Sequence, residues 1–153
     1  MTTHVPHFEA HHGMGPTHHY GARALRFAVP LGRVLFSLIF VLSVGHLFSP
    51  GGASEAARHG VPLAQVAVPI AGLLALGGGV SVALGYHARV GGWLLVLFLV
   101  PVTLFMHAFW AESDPAAMQM QQVQFIKNLA LLGAALMITY LGAGPISVDE
   151  TAD

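Results

Sequence analysis

The chain has 153 residues, 55% of them apolar and only 8% charged, with a formal net charge of −1. A soluble domain carries about 25% charged residues, so this composition cannot coat a water-exposed globule, and the near-zero charge excludes a basic nucleic-acid-binding surface. Cysteine is absent, which excludes disulfides, Cys-ligated zinc or iron–sulfur centres, and dithiol exchange by this chain itself.

Residues 1–28 are polar, rich in Gly, Pro, Thr and His, and hold His4, His7, His11, His12, His18 and His19. With no apolar periodicity to support packing, they predict a disordered His-rich tail. Loose divalent-metal binding is one reading of these imidazoles. Their spacings match no zinc pattern, and a compositionally biased tail is the other reading.

Four apolar runs follow, at 29–48, 63–86, 90–110 and 123–141. Each is long enough to cross a hydrocarbon core of about 30 Å. They predict an all-α, four-helix transmembrane bundle over 29–145, with a short acidic tail at 146–153. In the first run Pro30 suits a first helical turn, and Arg33 can snorkel to the headgroups. The long polar segment before it and the spans after it favour a retained helix over a cleaved signal peptide. In the second run Gly77, Ser81 and Gly85 recur every fourth residue and predict a smooth stripe for close helix contact. Pro69 falls inside that run. The very short link at 86–89 predicts an antiparallel hairpin with the third run. There Pro101 predicts a bend, and Thr103, His107 and Trp110 share one helical face. In the fourth run Gln121, Gln124 and Asn128 follow helical spacing, and Gly133, Ala134 and Ala135 permit close packing. Gly142, Gly144 and Pro145 end it.

Both termini and the 86–89 link fall on one side of four spans. That side holds Arg23, Arg26, Arg33 and Arg89, and the other holds Arg58 and Lys127. The bias predicts cytoplasmic termini.

On the opposite side, His46, His107, Lys127 and Asn128 gather near helix ends, with Trp110, Gln121 and Gln124 at the same level. Ionisable groups there are costly unless they pair, face a cavity or reach water. Their donors suit the carbonyls of a quinone or another small polar-headed ligand, and a protonatable histidine can accept a proton from a quinol. The competing reading is structural: Lys127 snorkels, Trp110 anchors the interface, and Asn128 with both histidines bonds neighbouring helices. A haem held by His46 and His107, or a metal held by His46, His59 and His107, is a further alternative. No attachment motif accompanies them.

Several stretches resemble the DoxX family of bacterial membrane proteins. They are Gly78-Gly79 through Gly85, Arg89, His107-Ala108-Phe109-Trp110, Phe125-Ile126-Lys127-Asn128-Leu129-Ala130 with Gly133, and Gly142 to Asp149. The resemblance implies a four-helix bundle in the bacterial cytoplasmic membrane. It also implies a quinone-associated subunit of a membrane oxidoreductase system linked to sulfur or oxidative stress. The resemblance adds weight to His107, Trp110, Lys127 and Asn128; with the residues read from their placement, His46 and His107 are the catalytic candidates and Trp110, Gln124, Lys127 and Asn128 the ligand-binding ones. A quinone is the expected cofactor and no structural metal is expected. Electrons come from a bound cofactor or a partner oxidoreductase, since the chain alone carries no visible redox centre. The alternative is a non-catalytic scaffold that anchors a partner enzyme or self-associates. A small transporter is the third reading, for which no inverted repeat is visible.

Overall fold

The computed structural model describes residues 26–49 and 51–149, and the side chains of all of these except His46 and Leu47. The histidine-rich segment lies outside the described residues except for its last three positions. The described chain is all helical: α1 (Ala28–Leu47), α2 (Gly52–Arg58), α3 (Ala64–Leu84), α4 (Ala88–Met106), a 3-10 turn (Phe109–Ala111) and α5 (Pro115–Leu141). Four of these, α1, α3, α4 together with the 3-10 turn, and α5, are long and apolar enough to cross a membrane. The protein is thus a multi-pass membrane protein, with four spans among the described residues.

Two boundaries differ from the apolar runs by more than two residues and one helix is additional, each for a local reason. The last helix begins at Pro115, well before position 123, because Asp114 caps it. The Asp114 carboxylate accepts from the Ala117 N–H at 2.8 Å, and Pro115 occupies the first turn, where its missing N–H costs nothing. Gln and Met in the opening turns hide that start from a hydropathy count. At the other end, α4 stops at Met106. His107 leaves helical geometry at φ −124°, ψ 39°, so Trp110 sits on the 3-10 turn and shares no α4 face with Thr103. Thr103 is buried and donates to the Leu99 carbonyl at 2.6 Å. The loop at 49–62 also contains the unforeseen short helix α2. Its Ala56 is buried against Ala64, Val68, Val61 and Met106, forming a small core of its own.

The spans pack in chain order, α1 on α3, α3 on α4 and α4 on α5. Phe40, Ala75, Val82, Leu95, Phe98, Leu99 and Ala135 form the shared core. Glycine sets how closely the helices approach, along a line that keeps Ser81 of the predicted stripe, against Gly91, but runs through Gly78 in place of Gly77. A methyl group on Gly78 would lie 2.9 Å from the Gly91 carbonyl oxygen on α4, and one on Gly92 would lie 3.1 Å from the Ala135 carbonyl oxygen on α5. Gly77, by contrast, meets only Leu94 at 3.8 Å, and Gly133 has no neighbour within 4 Å. The first and last spans do not pack along each other, and an apolar cleft of about 380 Å³ separates their Arg33 halves. Large apolar side chains such as Leu42, Leu73, Leu97 and Met137 point outward and are exposed. Hydrocarbon solvates these side chains, and helices satisfy their own backbone groups there.

Candidate functional site

At the end of the bundle where α2 lies, the four spans and α2 surround a cavity of about 570 Å³. Ala67, Val68 and Ala71 of α3 form one wall, and Phe98, Val102 and Phe105 of α4 form another. Small residues leave the space open: Gly52 and Ala56 of α2 roof it where larger side chains would fill it. Ser43, His107 and Gln124 are the polar residues on the lining.

His107 and Gln124 belong to two hydrogen-bonded pairs running down α5, while the Ser43 hydroxyl donates to the Phe40 carbonyl within α1. His107 Nδ1 donates to the Gln121 side-chain carbonyl at 2.9 Å, which ties the end of α4 to α5. One turn deeper, Lys127 Nζ donates to Gln124 Oε1 at 2.8 Å. Asn128 lies on the same face as Gln121 and Gln124. It is 6% exposed, and its side chain forms no hydrogen bond among the described residues. Trp110 stands apart from this row. It packs edge-on with Phe109 and Phe125, at ring-centroid separations of 5.1 and 5.7 Å, and remains largely exposed. His46 falls in the last turn of α1, and its side chain is outside the described set. His59 turns to Glu55 at 3.2 Å, and Glu55 also pairs with Arg58. The structure therefore brings His107, Gln121, Gln124, Lys127 and Asn128 together and sets Trp110 and His59 aside.

The other end of the bundle holds a polar site that the sequence reading missed. Arg33 does not snorkel outward. It is 6% exposed and donates through Nη1 to the Ala143 carbonyl and through Nη2 to the Ile146 carbonyl, each at 2.6 Å. The guanidinium lies against Gly85, whose φ of +65° closes α3; a methyl there would meet Arg33 Nη1 at 2.6 Å. Asp149 then caps α4: its carboxylate accepts from the His87 N–H at 2.7 Å and the Ala88 N–H at 3.2 Å. The segment 142–149, read from composition as the end of a helix and an acidic tail, is clasped to the α3–α4 turn. The available signals were an arginine alone in an apolar run and an Asp four residues beyond the Gly-x-Gly-Pro break.

The His87 N–H chiefly, and that of Ala88, hold the Asp149 carboxyl below its usual range, against the opposing effect of burial. A depressed pKa stabilises the fold above the unfolded value near 3.8, and that contribution is lost as pH falls through the lower folded value. The clasp is thus expected to hold at neutral and mildly acidic pH and to open only in strong acid. Hydrogen exchange of the His87 and Ala88 amides against pH checks this, and Asp149→Asn should remove the transition.

Four membrane-spanning helices enclosing an apolar cavity with a short polar row define a polytopic α-helical membrane protein. The sequence model of the SURF4 family matches residues 17–153, and the chain belongs to that family. It is 25% identical to the inner membrane protein YphA of Escherichia coli over 100 residues, 65% of this chain and 71% of that one. To the inner membrane protein YqjF of the same organism it is 22% identical over 122 residues, 80% of this chain and 89% of the relative. It is also similar to the ER-derived vesicles protein ERV29 of Saccharomyces cerevisiae, 28% identical over 78 residues, 51% of this chain but only 25% of ERV29. No solved structure matches.

The family is therefore SURF4, and the DoxX assignment is corrected. The stretches that suggested DoxX perform tasks that a bilayer sets for many small bundles. Gly78 lets two helices meet, Gly85 makes room for Arg33, and Trp110 packs edge-on with two phenylalanines. Such tasks do not identify one chemistry. The quinone-associated oxidoreductase role rested on that resemblance and falls with it, since neither the family nor these relatives' names carry quinone chemistry.

Proposed function

We infer that this protein is a membrane-embedded binding protein that takes an amphiphilic guest into the cavity beneath α2. The observation that carries this reading is the cavity itself: about 570 Å³, apolar-walled, with few polar groups on its lining. Sites for small ligands span roughly 300–1,000 Å³ and combine apolar walls with a few convergent polar groups. Position supports the same reading, because the cavity lies at the helix ends, where a guest can keep its chain in hydrocarbon and its head near water. We place the protein in a bacterial cytoplasmic membrane with cytoplasmic termini. Support comes from the two inner-membrane relatives and from the excess of arginine on the terminal side. A C-terminal reporter inactive in the cytoplasm would reverse that orientation. The likeness to ERV29 covers a quarter of that protein, and its vesicle association is not carried over.

The test is to fill the cavity. Ala71 lines it from α3, and Ala71→Phe places a ring in the empty space. A fluorescent single-chain amphiphile should bind the variant about tenfold or more weakly than wild type, corresponding to about 1.4 kcal/mol of lost burial. The melting temperature in detergent should be unchanged or higher. Equal binding by the two proteins would remove the cavity as the binding site.

A further inference from the structure

The polar row beneath α2 has an uneven charge. Gln121 marks the level at which the end of α4 meets α5. Lys127 lies nearly two turns deeper, about 9 Å at a rise of about 1.5 Å per residue. Its ammonium reaches back one turn toward the helix start, and its one hydrogen-bond partner among the described residues is the neutral amide of Gln124. Among the described residues no carboxylate is within salt-bridge reach of Lys127; Glu55 is taken by Arg58 and His59, and Asp114 by the start of α5. A charge at this depth is costly unless it pairs or reaches water.

A second observation points the same way. Asn128, next in sequence and more than nine-tenths buried, faces the bundle on the Gln124 face with its carboxamide unbonded. Its amide is not among the fully sealed polar atoms that lack a partner, so it stays open to a small guest or water. With its carbonyl oxygen held by Lys127, Gln124 also keeps its amide N–H groups free to donate at the cavity wall. Ammonium, amide and amide stand together, rich in donors and without an anion. Hydrogen bonds from a charged donor to an anionic oxygen are about twice as strong as neutral ones.

We propose that the guest is a single-chain amphiphile with an anionic head, a carboxylate or a phosphate, held by Gln124 on the cavity lining and by the Lys127 ammonium bonded 2.8 Å behind it, while its chain fills the cavity between α3 and α4. The inference rests on the amphiphile-binding reading and adds the sign of the head. It also gives Lys127 the partner that the described residues lack. The volume suits one chain and a compact head.

The experiment measures binding to the full-length protein in a neutral detergent. The probes are palmitate, the lysophospholipid with a phosphate monoester head, the matched primary alcohol and the matched alkyl trimethylammonium. Wild type should bind palmitate or the phosphate probe at least tenfold more tightly than the alcohol, about 1.4 kcal/mol, and the cationic probe most weakly. Which anion binds more tightly identifies the head. Lys127→Gln should bind the anion no more tightly than the alcohol, and Lys127→Arg should restore the preference, with gel filtration showing each variant folded. If wild type binds alcohol and anions alike, the anionic head is wrong while the cavity reading stands. If no probe binds, and Ala71→Phe changes nothing, both readings fall.

Discussion

Arg33→Ala is expected to cost roughly 3–5 kcal/mol of stability and to free the C-terminal segment. The magnitude follows from what the side chain holds. Each guanidinium contact is a hydrogen bond from a charged donor, of a kind that contributes about 1.5–3 kcal/mol. Two such contacts reach Ala143 and Ile146, more than a hundred positions away in the chain, from a side chain that is almost wholly buried. Removing it takes away both charged donors that hold the segment and opens a hole beside Gly85. Arg33→Lys should recover only part of the loss, because an ammonium is a point donor and cannot span two carbonyls in the fixed fork of a guanidinium. Thermal unfolding in detergent and protease access to residues 142–149 measure the two effects. An unchanged melting temperature with a protected segment would show that the clasp is incidental.

Gly78→Leu should be the most damaging single substitution within the spans. A Cβ at that position would lie 2.8 Å from Leu95 Cγ and 2.9 Å from the Gly91 carbonyl oxygen. The side chain of Leu95 can turn, but the backbone of α4 cannot, so the hairpin must open. Overpacking a well-packed core costs about 1–3 kcal/mol, and separating two backbones along a span costs more, because the packing that drives association in lipid is lost along the whole contact. Gly133→Leu is the matched control. Gly133 meets nothing within 4 Å, so that change should stay within about 0.5 kcal/mol of wild type. Equal unfolding temperatures for the two variants would contradict the packing line described above.

The four spans were legible because length and apolar content alone determine what can cross a bilayer. The residues that shape their contacts were less legible. A run of three glycines at 77–79 offers three registers. Which one faces α4 depends on rotation about the helix axis, and the apolar residues around it are too uniform to fix that rotation. Arg33 reads as a snorkelling residue because its partners are backbone carbonyls far along the chain, which leave no trace in side-chain pattern. The helix α2 went unseen because GASEAAR has little apolar content and buries only Ala56. In the candidate site, the helical spacing of Gln121, Gln124 and Asn128 was readable and placed them on one face. The cavity was not, because it arises from small residues on separate elements, Ala56 on α2 and Ala67 and Ala71 on α3. The short motifs that suggested DoxX were real features serving general tasks, and only a match over most of the chain assigned the family.

Chemical labelling tests the central claim, a guest-binding cavity beneath α2, most directly. The natural chain has no cysteine, so Ala71→Cys introduces a single thiol on the cavity wall, and Met120→Cys places one on the exposed surface at the start of α5, off the cavity lining. Maleimide adds to a thiolate and so reads thiols that water reaches, and it should label both. Saturating single-chain amphiphile should slow labelling at position 71 by about tenfold or more and leave position 120 unaffected. Protection at neither position, or at both alike, would contradict the account.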